Sequence, residues 1–386
     1  MSIPYWRLSG FYFFYFATVG AFLPYWGLYL KDRGFNPVEI GELSAMLNGT
    51  RIIAPVLWGW IADHTGKNLR IIRIAAFLNA AFFAGFLFVD GYTWFAWITL
   101  AFSFFWNAAL PQFEAVTLYH LKAESHRYSR IRLWGSIGFI VTVLGVGRLL
   151  DYLPPAIIPI TVTATMTLIW LVSLTTPAVT APQHQAAAGM KHIMTRPELW
   201  AFLAVYLLLQ LAHAPYYVFY SIYLQHYQYS AGLTGFLWAL AVFAEVVLFI
   251  YMRRLLKRVS LRAVLLVSVA LSVARWLMIA WGVEYFWLLL FAQLLHAATF
   301  AGAHVAAIHL VHRYFGDRHQ GKGQALYTSL TFGLGGMIGS YYSGYSWESF
   351  GAEFVYSMAA VFCSIAFVIA YIWVGRESSQ DKSVLS

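Results

Sequence analysis

Cysteine is almost missing. The single thiol in 386 residues, Cys363, lies in an apolar run near the end of the chain, which leaves no disulfide framework and no thiolate metal site. Charge is scarce as well. Asp, Glu, Lys and Arg together make up 11% of the chain, whereas soluble domains carry roughly a quarter; hydrophobic residues reach 61% and the mean hydropathy is +0.65. A water-soluble fold is excluded. Basic residues outnumber acidic ones, 25 to 16, but this +9 charge sits on no soluble module and so points to no nucleic-acid partner. No polar stretch is long enough for a separate soluble domain. The first apolar run is too long for a signal-peptide core and lacks a small-x-small cleavage site after it, so it reads as a retained helix. Neither a catalytic constellation at one membrane face nor a loop domain is present, which argues against an intramembrane enzyme or a receptor. The spacing in the histidine-rich stretch from His304 to His319 gives no metal-ligand set with carboxylates.

What fills the chain is apolar runs of spanning length. A bilayer core of roughly 30 Å takes about 20 residues per helix. Runs bounded by charge or by Pro/Gly clusters fall at about 5–30, 38–61, 71–89, 94–121, 133–150, 156–174, 199–224, 233–255, 263–281, 286–311, 325–342 and 352–374, which predicts twelve transmembrane helices. With both termini cytoplasmic, the far side keeps only Lys31, Arg33 and Arg148. Arg51 and Arg275 lie inside helices and every other Lys and Arg is cytoplasmic, as the positive-inside rule requires. The longest polar connection falls near the midpoint. The expected organisation is an N-terminal six-helix bundle (1–175), a cytoplasmic linker (176–198), a C-terminal six-helix bundle (199–375) and a cytoplasmic tail (376–386). A weak echo of Leu133-Trp134-Gly135-Ser136 in Leu326-Tyr327-Thr328-Ser329 suits duplicated halves, a transporter habit.

Ionisable groups inside spans are costly and mark pathways, which singles out Arg51, Glu114, Glu245 and Arg275. Glu245 and Arg275 lie at similar depths and are expected to meet across the C-terminal half, either as the protonation site or as a structural pair. Arg51 has no carboxylate nearby except Glu114 and could face an anionic substrate. Gln293, His296, Phe300 and His304 fall on one helical face, a stripe suited to a proton relay beside Glu245. Gln210, His213, Tyr217 and Tyr220 recur at helical spacing around Pro215, whose missing N–H predicts a broken, gating helix. Aromatics, 19% of the chain, run through helices 1 and 7 as well as at the interfaces, and suit stacking on a sugar face or an aryl ring.

The stretch Gly59-Trp60-Ile61-Ala62-Asp63-His64-Thr65-Gly66-Lys67-Asn68-Leu69-Arg70 resembles the loop signature of the major facilitator superfamily, with Asn68 at the second basic position. Gly59 and Gly66 would permit a tight turn and close helix approach, and Asp63 would sit against a helix N-terminus or an arginine. Lys67 supplies the remaining basic charge. Glu114-Ala115 and Arg130-Ile131-Arg132-Leu133-Trp134-Gly135-Ser136 resemble the helix 4 to helix 5 region of lactose permease and its relatives. That resemblance implies a substrate-binding pair, Glu114 with Arg132; the relatives' sugar-stacking tryptophan is Phe139 here. Glu245, Arg275 and His296 fall where those relatives carry coupling residues, but the carboxylate expected after the histidine is Thr299.

Across the chain, Phe22-Leu23-Pro24-Tyr25-Trp26, Gln210-Leu211-Ala212-His213-Ala214, Ala244-Glu245-Val246 and Leu295-His296-Ala297-Ala298-Thr299-Phe300 are most similar to the phenylpropionate permease group. The resemblance implies a proton symporter for an aryl carboxylate in a bacterial-type inner membrane, acting as a monomer without a cofactor and driven by a proton gradient. A sugar or nucleoside symporter of the lactose-permease type is the alternative. Expected substrate contacts are Glu114, Arg132, Arg51, Phe139, Tyr217 and Tyr220. Glu245, Arg275, His296 and His213 are expected to couple protons, and Gly59, Asp63, Gly66 and Lys67 to gate.

Overall fold

The structure is a computed structural model that describes residues 3–178 and 190–375. Every regular element among the described residues is helical, as a chain in lipid requires: a helix satisfies its own backbone donors and acceptors where no water can. The elements are α1 (Tyr5–Phe22), α2 (Trp26–Asp32), α3 (Pro37–Thr65), α4 (Asn68–Ala84), α5 (Tyr92–Leu121), α6 (Tyr128–Leu150), α7 (Ile157–Thr175), the single turn α8 (Lys191–Met194), α9 (Pro197–His226), α10 (Ala231–Leu255), α11 (Leu261–Gly282), α12 (Phe286–His296), α13 (Ala303–Thr328) and α14 (Gly336–Trp373). Turns of π-helix join α12 to α13 (Ala297–Gly302) and α13 to α14 (Ser329–Gly335). Nine helical stretches among the described residues are long and apolar enough to cross a membrane, or ten if the bent pair α1 and α2 is one span.

Local sequence explains where the helices start, bend and stop. Pro24 brings no N–H and crowds the preceding turn, so the first apolar run bends by 40° between α1 and α2 instead of running straight from 5 to 30. The hydroxyl of Tyr25 fixes the bend by donating to the Val143 carbonyl at 2.7 Å. Asn36 caps α3 in a reciprocal box with Glu39, and Gly66, at φ 63°, ends it in the left-handed conformation that glycine adopts cheaply. The chain also leaves helical geometry at Gly316 (φ 62°) in α13 and at Gly351 (φ 83°) in α14. The last break divides the apolar stretch His319–Trp373, which is far too long for one crossing. Of the linker expected at 176–198, residues 179–189 lie outside the described residues, as does the tail 376–386; α8 and the first turn of α9 fall in its described part.

α1 to α7 pack on one another, chiefly α1 on α6 and α7 and α4 on α5. α9 to α14 do the same, with α9 and α11 on α14. The two groups meet along two seams, α3 against α14 and α6 against α10. Glycine sets the closeness of the first seam: a Cβ on Gly41 would stand 2.7 Å from the Cα of Gly344. Among the described residues, four hydrogen bonds cross between the groups toward the end that carries the α2–α3 turn. Lys31 Nζ donates to Gln225 Oε1 (3.0 Å), Tyr345 Oη to Glu42 Oε1 (2.9 Å), Asn48 Nδ2 to Ser340 Oγ (3.2 Å) and the Gly232 N–H to Asp151 Oδ1 (2.9 Å). This end of the molecule is shut. Exposed Trp94, Trp97, Trp281, Trp287 and Phe88 stand on the outside, as lipid-facing and interfacial aromatics do.

Candidate functional site

The superfamily-like motif is mostly helix. α3 extends through Thr65, so Gly59 and Asp63 are helical, and only Gly66 and Lys67 form the turn into α4. Open space surrounds a Cβ placed on Gly59, which removes the expected close approach there; Gly66 is required by its φ alone. Asp63 is exposed and makes no hydrogen bond or ion pair among the described residues, contrary to the expected helix or arginine contact. Lys67 is exposed. Asn68, in the second basic position, is buried and donates to Gln112 Oε1 at 2.9 Å, so it joins α4 to α5 instead of carrying charge.

The implied Glu114–Arg132 pair is not formed. Glu114, in the last third of α5, accepts from Tyr128 Oη at 3.2 Å, while the Arg132 guanidinium lies over the Phe16 ring at 3.9 Å. The two remain within electrostatic reach, and Arg132 also reaches Glu245 and His304 of the other group. Arg51, midway along α3, makes no hydrogen bond or ion pair among the described residues. The titratable groups within its electrostatic reach are the phenols of Tyr15 from α1 and Tyr217 from α9. Phe139 is buried in the α1–α6 seam, where its carbonyl would stand 2.7 Å from a Cβ on Gly20.

In the second group, Glu245 does not meet Arg275. Its Oε1 lies 2.8 Å from His296 Nε2. Arg275 is fully buried, donates from Nε to the Ala292 carbonyl at 3.0 Å, and lies 4.5 Å and 4.4 Å from the ring centres of Tyr216 and Trp276. His213 contacts the Leu209 carbonyl through Nδ1 at 2.7 Å and stands edge-on to Trp276, with its ring centre 6.2 Å from that of His296. The polar stripe from Gln293 to His304 survives, though not as a regular helix: the π turn at Ala297–Gly302 lies inside it. In that wider turn, residues four apart lie almost above one another, and the rings of His296, Phe300 and His304 stack at interplanar angles of 10° and 6°.

Tyr217 is half-buried and within electrostatic reach of Arg51, Glu245 and Arg275. Tyr220 is sealed: it has no exposed surface and its hydroxyl accepts from Gln293 Nε2 at 2.7 Å. α9 runs unbroken through Pro215, so the predicted interruption is absent. Tyr216 and Trp276, which hold the guanidinium of Arg275, were not singled out from sequence for that role; Trp276, immediately after the arginine, carried the available signal.

The arrangement thus brings Arg51, Glu114, Arg132, Glu245, Arg275 and three histidines into one network of electrostatic contacts inside the helices. Comparison with known proteins agrees with a transport role. The sequence profile of the MFS_1 like family matches residues 5–358. The probable 3-phenylpropionic acid transporter of Escherichia coli K12 is 30% identical over 357 residues, 91% of this chain and 93% of that protein. The maltose permease of Geobacillus stearothermophilus is 26% identical over 95% of this chain and 93% of its own. Among solved structures, a mutant of the nucleoside transporter NupG superposes with a TM-score of 0.87 at 18% identity, covering 96% of this chain and 99% of that one, a likeness of fold. On the family match and the 30% identical relative, this chain belongs to the MFS_1-like family and is a multi-pass membrane transporter of the major facilitator type, not an enzyme.

Proposed function

We propose that the chain imports an aryl carboxylate such as 3-phenylpropionate together with a proton, by alternating access. The observation that carries this reading is the unpartnered Arg51. Three arginines, Arg51, Arg132 and Arg275, share this network with two carboxylates, Glu114 and Glu245, which leaves one positive charge over. An unpaired cation is costly at that depth, and a monoanionic carboxylate would neutralise it while Tyr15 and Tyr217 flank its ring. The name of the 30% identical relative points the same way. Glu245, bonded to His296, is the candidate protonation site, with Arg275 and His213 around it. Protonation of Glu245 would leave a second positive charge over, so proton and anion would each favour the other's binding, a reciprocal coupling.

In this reading twelve spans form the bundles 1–175 and 199–375, joined by the linker 176–198 and followed by the tail 376–386. Both termini lie in the cytoplasm at the inner membrane and the monomer is sufficient. The α1–α2 pair and α3 each count as one span, and the breaks at Gly316 and Gly351 separate the last three. The shut end then faces outward, and Gly59, Asp63, Gly66 and Lys67 belong to the opposite gate. Phe139 and Tyr220 contribute through packing. A sugar is the second reading, favoured by the maltose permease relative and by the Glu114–Tyr128 pair, which could serve hydroxyl groups.

A thermal-shift screen of the purified protein decides between them, because a ligand that binds only the folded state raises its apparent stability. Aryl carboxylates should raise the melting temperature, and maltose and nucleosides should not. Arg51→Gln should remove the carboxylate shift, and the neutral amide of 3-phenylpropionate should give none even with the unaltered protein. An amide that binds as well as the acid would overturn anion recognition.

A further inference from the structure

Arg275 sits among uncharged partners. Among the described residues Nη1 and Nη2 have no hydrogen-bond partner, Nε donates to the Ala292 carbonyl, and the guanidinium faces the rings of Tyr216 and Trp276. Glu245 lies within electrostatic reach, yet its carboxylate bonds His296. In a medium of low dielectric, opposite charges that close together draw into contact unless something holds them apart. The Tyr216 ring, which lies against the guanidinium, is itself held in place. It is wedged against Trp238, 4.4 Å between ring centres, and its hydroxyl donates to Gln293 Oε1 at 2.8 Å. Gln293 is itself fully buried and anchored a second time, through Nε2, on Tyr220 Oη at 2.7 Å. It also follows Ala292 directly in the chain, so one stretch of α12 fixes both the ring and the carbonyl that grip the arginine.

We infer that Gln293 is a positioning residue for proton coupling: through Tyr216 it keeps Arg275 from closing onto Glu245, so that the carboxylate stays available to His296. The inference rests on the reading of Glu245 as the protonation site. Besides Arg275 and His296, the charged and titratable groups that face Glu245 are His304 of α13, Arg132 of α6, and Tyr216 and Tyr217 of α9. Arg275 is the cation among them in the same group of helices, and it is the one under ring control.

The test uses the full-length protein in liposomes with labelled 3-phenylpropionate, and labelled maltose as a second probe. Gln293→Leu removes both hydrogen bonds, and Tyr216→Phe keeps the ring but loses the bond to Gln293. Both variants should exchange solute at equal pH within about twofold of the unaltered protein, with unchanged KM, yet accumulate it under a proton gradient about tenfold less. Equal loss of exchange and accumulation, with a lowered melting temperature, would reduce Gln293 to a packing residue and overturn the inference. Normal accumulation by both variants would overturn it too. Glu245→Gln in the same assay separates the two levels: if it accumulates normally, the protonation-site reading falls and this inference with it. If it is uncoupled while Gln293→Leu and Tyr216→Phe are not, only the role of Gln293 falls.

Discussion

Among single residues, the charged side chains inside spans stand out in the sequence, but their partners do not. Hydropathy exposes a carboxylate inside a span, whereas its partner depends on rotamers and on how neighbouring helices are phased. Depth along the helix suggested Glu245 with Arg275, and relatives suggested Glu114 with Arg132. The structure gives Glu245 to His296 and Glu114 to Tyr128, and lays both arginines on aromatic rings. Arginine stacks readily because its planar guanidinium is weakly hydrated, so in an aromatic-rich membrane chain rings compete well with carboxylates for it. Glu245→Gln should therefore abolish uphill accumulation of 3-phenylpropionate, a fall of at least about tenfold measured in liposomes under an imposed proton gradient. A variant that still concentrates solute would exclude Glu245 as the coupling carboxylate.

The helices themselves were largely legible, since runs of about 20 apolar residues have one solution in lipid. Their irregularities were less so. Pro24 bends its helix while Pro215 does not: α9 packs closely on α14 along its length, which supports the backbone around the proline. The π turns at Ala297–Gly302 and Ser329–Gly335 leave no periodic mark, because each spans only six or seven residues. The glycine seam between α3 and α14 was equally hidden, since Gly41 and Gly344 are common residue types far apart in the chain. Gly41→Leu should wedge that seam. Overpacking of this kind typically costs about 1–3 kcal/mol, roughly a fivefold to 150-fold shift away from the shut arrangement. A cysteine placed at Asn48, beneath the seam, should react correspondingly faster with a water-soluble maleimide in the Gly41→Leu background. Unchanged labelling would mean the seam does not control access.

The whole molecule is two packed groups of helices held together at one end by four hydrogen bonds among the described residues. Transport by alternating access requires those bonds to break in every cycle. Joining Asn48→Cys to Ser340→Cys with a short bis-thiol linker should stop uptake completely, and cleavage of the linker should restore it; uptake that continues in the linked protein would contradict a rocking mechanism. The native thiol does not interfere, because Cys363 is buried.

Those four bonds also set an energetic condition on the cycle. At a net contribution of about 1 kcal/mol each, they favour the shut arrangement by about 4 kcal/mol, roughly a thousandfold in population. A carrier so biased would dwell in one state unless the opposite end recovered a similar amount on closing. On the proposed gating role, Asp63, exposed and without a partner among the described residues, is the acceptor with which it would do so. Its idleness in this state would then be the counterweight to the closed end, and removing it should slow the return stroke while leaving the stroke that closes this end untouched.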